Sequence, residues 1–337
     1  MFSTDNITYL NYISTQLNIY AGIFFYVFGV WSNIFCIIMF RTVKKLKRNP
    51  SSIYIFAASL CSLVLLNTSL LSRSILPGFK FDPSSRFFVW CKLRQYLGQV
   101  SALTALFCVV WAMMDQYLST SSRICLRHLS TIKNARRLVL LTFVVWFLHG
   151  LPLVINNQIS VLAPNNVTTC SLSRDLSFQT YTAYVVTPFF LGIIPSFLMV
   201  VFAILVYANV NYLHQEQMRT RIQRQLTRMI TSQIVLILIG TSAYTTLIIY
   251  TLLTVSIPKA PMRQAQENIG LTLALLLSYT GYSFHFYIYM FVSSSFRKHF
   301  KEFIKKFLRY LSHYYRAINI TKLHAQGPRN SMQRYTT

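Results

Sequence analysis

The chain reads NIYAGIFFYVFGVWSNIFCIIMF over residues 18–40 and RTVKKLKR over residues 41–48. The first stretch has no charged side chain and is longer than the roughly 20 apolar residues with which a helix crosses a bilayer. The second stretch carries five Lys and Arg, whereas residues 1–17 carry none. Because basic residues accumulate in short cytoplasmic segments, these stretches predict a transmembrane helix with an extracellular N-terminus.

Comparable apolar runs recur along the rest of the chain. Of its 337 residues, 54% are hydrophobic and only 12% are charged, about half the charged share of a soluble domain. The runs lie at residues 18–40, 52–75, 88–118, 137–157, 179–210, 228–256 and 267–292. They predict an all-α membrane protein: a seven-transmembrane helix bundle over residues 18–293, preceded by an extracellular segment over residues 1–17.

The distribution of the basic residues supports this arrangement and argues against nucleic-acid binding. The chain has 32 Lys and Arg against 7 Asp and Glu, a balance that is also found in nucleic-acid-binding proteins. Here, however, 24 of the 32 fall in the segments that seven crossings place inside the cell, and the other eight fall outside. The positive-inside bias explains the charge, so we expect a multi-pass protein of the plasma membrane and no nucleic-acid partner.

The segment after the last apolar run has a different pattern. Over residues 294–310, apolar side chains recur every three or four positions and basic ones fill the remaining face. This pattern predicts a short amphipathic helix on the inner leaflet. Residues 311–337 are predicted to be a cytoplasmic tail, disordered from about Ala317.

Six cysteines divide by their predicted compartment. Cys36, Cys61 and Cys108 lie in apolar runs, and Cys125 lies in an inner loop. Cys91 and Cys170 are the pair on the oxidising side, which predicts a disulfide bond between them; the alternative is two free thiols. Two glycosylation sequons, at Asn6 and Asn166, also fall in predicted outer segments.

Several landmarks resemble the rhodopsin-like family of G-protein-coupled receptors. One is a cysteine at the start of the third run paired with one in the second outer loop, and another is Asp115-Gln116-Tyr117, where the family carries Asp-Arg-Tyr. Phe296-Arg297 opens the amphipathic segment as it does in the family. Asn33, Trp146 and Pro195 stand at the family's positions in the first, fourth and fifth runs. The resemblance covers about residues 18–310. It implies that an extracellular ligand drives activation of a heterotrimeric G protein.

Three regions depart from the family pattern. Ser62 stands where the family has an aspartate in the second helix, and the stretch from His285 to Tyr289 replaces Asn-Pro-x-x-Tyr. The segment 241–244 replaces the Trp-x-Pro of the sixth helix. The chain is therefore similar to a divergent member, and its activation switches follow the family only in part.

The resemblance implies a coupling site at the inner ends of the helices. Its candidate residues are Asp115, Gln116, Tyr117, Arg224 and Arg228, although an arginine at a membrane edge can equally serve lipid phosphate. Because glutamine supplies no charge, Gln116 cannot replace the family's arginine as a partner of Asp115. We therefore expect Asp115 to pair with Arg123 or Arg127.

The ligand is open between two classes. Gly98 occupies the position at which amine receptors carry an aspartate, which disfavours an amine. Candidate pocket residues are Tyr96, Gln99, Tyr184 and Gln266, which suit a neuropeptide-like ligand or, alternatively, a chemosensory small molecule.

Other classes of protein are disfavoured. A transporter or a non-signalling binder is a further alternative, but the runs contain few ionisable groups, and His149 and His285 are expected to form packing hydrogen bonds. No nucleophile and base or metal-ligand pattern predicts an enzyme, a metal site or a cofactor.

Overall fold

A computed structural model of the protein describes residues 2–74, 86–162, 167–172, 176–213 and 221–326. Residues up to 292 form one compact unit and those from 293 form another. The helices of the first unit are α1 (Phe2–Thr42), α2 (Lys44–Lys47), α3 (Pro50–Leu65), α4 (Phe88–Thr120), α5 (Ile124–Leu129), α6 (Ile132–Asn156), α7 (Leu176–Tyr181), α8 (Ile194–Leu213), α9 (Arg221–Leu253), α10 (Pro261–Ser283) and α11 (His285–Val292).

Among the described residues, six helical segments are long and apolar enough to cross a membrane by length and composition. They are Asp5–Thr42, Pro50–Ser74, Phe88–Thr120, Ile132–Asn156, Ser177–Val210 and Arg224–Leu253, and they match the first six predicted runs. The predicted multi-pass, helical membrane protein is thus confirmed at this level. Two of the segments contain π-helical turns that the sequence did not predict, at Leu66–Leu70 and Thr182–Ile193.

Helix α4 lies at the centre of the first unit. It packs against α3, α6, α8 and α9, and 78% of its most apolar window is buried, against 22% in α6. A membrane helix that is apolar on all sides can face either lipid or protein, so hydropathy alone does not rank the helices by burial. Residues near the two ends of α4 are therefore well placed to connect the surrounding helices.

The seventh predicted run, residues 267–292, is divided between α10 and α11. The interruption falls at Phe284. A break in a membrane helix leaves backbone groups without helical hydrogen-bond partners, which costs free energy. Helix α1 lowers this cost, because the Ser32 hydroxyl accepts a hydrogen bond from the backbone N–H of Phe286 at 3.1 Å. Asn33 adds a second link from α1 by donating to the Tyr282 carbonyl at 3.0 Å.

A β-hairpin is the main departure from an entirely helical chain. Strands β1 (Asn157–Leu162) and β2 (Val167–Leu172) are antiparallel, and Ile159 lies opposite Cys170. The hairpin directly follows α6. Short strands joined by a brief connection carry little hydropathy signal, so the apolar runs did not reveal them.

The helices at both ends of the described chain are longer than the sequence pattern indicated. At the N-terminus α1 begins at Phe2 and Asn6 is an exposed residue within it; the extracellular location of residues 1–17 stays a prediction. In the second unit, helix α12 (Ser294–Gln326) continues far beyond residue 310 and includes Ala317, where disorder was predicted. The location of α12 on a leaflet stays a prediction, and the sequon residue Asn166 lies outside the described residues.

Candidate functional site

The Asp115 carboxylate is buried near the C-terminal end of α4 and is held by serines. It is 3% exposed, and its two oxygens accept hydrogen bonds from the Ser51 hydroxyl and, at 2.7 Å, from the Ser130 hydroxyl. A buried carboxylate is costly unless donors surround it. The predicted pairing with Arg123 or Arg127 is wrong, because two short hydroxyl side chains reach a carboxylate that the bundle shields from long exposed ones.

The N-terminal caps of α3 and α6 position Ser51 and Ser130. The Asn49 side chain accepts a hydrogen bond from the Ser51 backbone N–H at 3.0 Å, and Pro50 occupies the first position of α3, so Ser51 lies in the first turn of the helix. Thr131 caps α6 by accepting from the Asn134 backbone N–H at 3.2 Å, and Ser130 directly precedes it. Two helix starts thus deliver hydroxyls to the same side chain of α4.

Gln116 joins three helices at this end of the bundle. Its side-chain nitrogen donates to the Ser51 hydroxyl of α3 at 2.7 Å, and its side-chain oxygen accepts from the Thr227 hydroxyl of α9 at 2.7 Å. The residue is fully buried, so both halves of its amide need partners, and both have them. We name Ser51, Asp115, Gln116, Ser130 and Thr227 the Gln116 cluster.

The other predicted coupling residues lie around this cluster. Tyr117 packs against Phe202 of α8, with ring centroids 6.3 Å apart. Arg224 and Arg228 are exposed on α9, on either side of Thr227. The sequence pattern identified the arginines, but the threonine between them makes the contact with α4.

The predicted switch residues mostly serve packing between helices. Ser62 and Pro195 are buried, and Trp146 packs against Phe107 with ring centroids 5.0 Å apart. His285 lies 3.3 Å from the Ser59 hydroxyl, between α11 and α3.

Two further hydrogen bonds tie α11 and α6 to their neighbours. Tyr289 of α11 donates to the Gln233 side chain of α9. His149 of α6 lies 2.9 Å from the Tyr181 hydroxyl. His149 and His285 are therefore both hydrogen-bonded between helical segments, as predicted.

The disulfide bond between Cys91 and Cys170 is confirmed. Their Cα atoms are 5.7 Å apart, and Cys91 is 1% exposed in the first turn of α4. The bond therefore attaches β2 to the end of α4 far from the Gln116 cluster. We call this end of the first unit the disulfide end.

The four predicted pocket residues do not converge. The Tyr96 hydroxyl donates to the Phe147 carbonyl of α6 at 3.2 Å, so this side chain faces α6, and its role in a ligand pocket stays a prediction. Gln266 is exposed and lines a small cavity between α9 and α10. Within the described part of the chain, no hydrogen bond or ring contact joins any two of Tyr96, Gln99, Tyr184 and Gln266.

Two arginines at the disulfide end were not predicted as pocket residues. The charges of Arg73 and Arg94 both act on the Tyr279 hydroxyl of α10, and the Arg94 Nε atom is buried without a hydrogen-bond partner. Arg73 reaches the Asn18 side chain at 3.4 Å. Neither arginine has a carboxylate partner among the described residues. Both lie near the ends of predicted apolar runs, where the sequence does not show that they reach the same tyrosine.

Position 98 also has a structural reason to be glycine. A Cβ atom there would lie 2.2 Å from the Ser69 hydroxyl of the adjacent π-helical turn. A larger side chain would therefore need the Ser69 hydroxyl to rotate away.

No model of a known protein family matches the chain, and no curated protein sequence matches it.

Proposed function

We propose that the chain is a seven-helix plasma-membrane receptor that binds a ligand at the disulfide end, outside the cell, and activates a heterotrimeric G protein at the opposite end. In this proposal α10 and α11 together form the seventh crossing. Six membrane-length helices, the distribution of basic residues and the disulfide support it. The observation that carries it is the contact of Gln116 with α3 and α9 at the end opposite the disulfide.

The Gln116 cluster supplies the two-state element that such a receptor requires. If α9 moves away from α4, the hydrogen bond between Thr227 and Gln116 breaks and a cleft opens between the two helices. A neutral hydrogen bond contributes only about 1 kcal/mol net, so its loss changes the balance of closed and open states roughly fivefold. A ligand with different affinities for the two states can supply an effect of that size.

Replacing Thr227 with valine tests this role. Thr227→Val keeps the shape of the side chain but removes the donor to Gln116, so we expect basal nucleotide exchange to rise about fivefold. The measurement is guanine-nucleotide exchange on a panel of G proteins at matched surface expression. Thr251→Val is the control, because the Thr251 hydroxyl of the same helix bonds only within that helix, to the Leu247 carbonyl at 2.8 Å.

The outcomes separate coupling from structure. A rise for Thr227→Val with no rise for Thr251→Val supports the proposal. Gln116→Arg restores the charge that the family carries and should also change exchange if this site touches a G protein. Unchanged exchange in Thr227→Val and Gln116→Arg, for every G protein tested, would contradict signalling through this end.

The disulfide end favours a peptide ligand with an acidic group. Arg94 Nε is shielded from solvent without a hydrogen-bond partner, so a ligand carboxylate placed between Arg94 and the exposed Arg73 would supply the acceptor that this donor needs. Among peptides screened in free-acid and amide-capped forms, we expect the free acids to activate. Arg94→Gln should then lower ligand potency about tenfold or more and leave basal exchange unchanged. Equal potency of both peptide forms would contradict this ligand class.

A further inference from the structure

A lateral groove opens on one side of the first unit, between α3, α4 and α6. Its volume is about 830 Å³, within the range of about 300–1,000 Å³ that is typical of ligand sites. Its walls are mainly apolar and include Leu60 and Val64 of α3 and Phe143 and Phe147 of α6. All four side chains are about 40% exposed or more, so an apolar ligand can contact them from the surrounding bilayer.

One end of the groove is basic. Arg41 of α1, Lys47 of α2 and Arg136 of α6 line it, and all three are exposed. No Asp or Glu lines the groove, and in the part of the chain that the structure describes none of the three forms an ion pair. Residues of α1, α2 and α6 therefore place unpaired positive charge at one end of the apolar groove.

A buried hydroxyl provides an independent indication of a polar ligand group. Ser52 Oγ belongs to a groove-lining residue, is shielded from solvent and has no hydrogen-bond partner among the described residues. Ser52 lies in the first turn of α3, five residues after Lys47, and therefore near the basic end of the groove. Because buried hydroxyls are normally paired, it is suited to an oxygen atom of a bound molecule.

We propose that the lateral groove binds one anionic phospholipid. Its phosphate group lies among Arg41, Lys47 and Arg136, and one acyl chain follows the apolar walls between α3 and α6. The charge distribution favours this occupant over a sterol, which has a single neutral hydroxyl and would leave three cations unused. The proposal requires membrane insertion only and does not depend on G-protein coupling.

The test compares lipids that differ only in head group. The full-length protein in detergent is titrated with phosphatidylserine or with phosphatidylcholine of identical acyl chains, and binding of individual lipid molecules is counted by native mass spectrometry. Each basic residue near a head group of net negative charge should contribute roughly a fivefold increase in affinity, whereas the choline cation of phosphatidylcholine cancels the charge of its phosphate. We therefore expect phosphatidylserine to bind at least about tenfold more tightly, and the combined variant Arg41→Gln, Lys47→Gln and Arg136→Gln to abolish the difference.

Two further variants make the test specific to the groove. Arg137→Gln is the matched control, because Arg137 is also exposed on α6 but does not line the groove; it should leave the affinities unchanged. Leu60→Trp places a larger side chain in the groove and should weaken phosphatidylserine binding. Equal affinities for the two lipids, displacement of phosphatidylserine by cholesterol, an equal loss in Arg137→Gln, or no loss in Leu60→Trp would overturn the proposal.

Discussion

Replacing Gly240 with valine is expected to prevent most of the protein from reaching the cell surface. An ideal Cβ atom at Gly240 of α9 would lie 2.5 Å from the Leu277 carbonyl oxygen and 3.0 Å from the Ser278 Cα atom of α10. These are backbone atoms, which cannot rotate away as a side chain can. The substitution must therefore separate α9 from α10, two helices in extensive contact.

The expected cost follows from the size of the added group. Overpacking by even small groups costs about 1–3 kcal/mol, and valine adds three carbon atoms at a backbone contact, so we expect about 3 kcal/mol or more. Membrane helices use small residues for such close contacts. The measurement is the melting temperature of the purified protein in detergent together with its surface expression, and Gly240→Ala should give a smaller loss in both.

A second glycine provides the control. A Cβ atom at Gly270 of α10 would meet only a Leu247 methyl group at 3.7 Å, an ordinary contact. Gly270→Ala should therefore leave the melting temperature unchanged or raise it slightly, since alanine is favoured over glycine in a helix by about 1 kcal/mol. Equal melting temperatures for Gly240→Ala and Gly270→Ala would rule out the close approach of α9 and α10.

Hydropathy predicted where helices lie but not how they are interrupted. A run of apolar residues has the same composition whether it forms one α-helix, contains a π-helical turn as at Leu66–Leu70, or breaks as at Phe284. The break depends on Ser32 of α1, which is more than 250 positions away in the chain and accepts from the Phe286 N–H. Long-range partners of this kind leave no periodic signal in the local sequence.

The sequence pattern identified Gln116 but not its partners. Serine and threonine are common in membrane helices, so nothing in the local sequence distinguishes Ser51 or Thr227 from other hydroxyl residues. The contact needs three helices in one particular arrangement, which only the folded chain provides. The expected partner of Asp115 was wrong for a related reason, because charge favoured an arginine while burial selected two serines.

The orientation of Tyr96 follows from rotation about a helix axis. Successive residues of an α-helix are turned by about 100°, so Tyr96 and Gly98, two positions apart on α4, face nearly opposite sides. Gly98 faces Ser69 beside α3, and Tyr96 faces α6 next to Gly150. The sequence alone does not show which side of α4 faces which neighbour, so it did not indicate the contact of Tyr96 with α6.

Removing the disulfide bond is expected to have the second large effect. Cys91 and Cys170 are 79 positions apart, and a cross-link over a loop of that length would contribute about 4–5 kcal/mol if the unfolded chain were free. In a membrane the intervening helices remain inserted when tertiary contacts are lost. The bond then restrains mainly the connection from Asn157 to Cys170, and a loop of roughly 15 residues corresponds to about 3 kcal/mol.

The variant Cys91→Ser with Cys170→Ser should therefore lose about 3 kcal/mol of stability, with a lower melting temperature and reduced surface expression. Cys125→Ser is the control, because Cys125 is an exposed free cysteine, and it should behave as the parent chain.

If the bond serves only stability, growth at reduced temperature should restore both surface expression and ligand response in the double variant. If it also holds β1 and β2 over the proposed ligand site, expression should recover while potency stays low, since the hairpin would then lose its covalent attachment to α4. An unchanged melting temperature in the double variant would contradict a structural role for the bond.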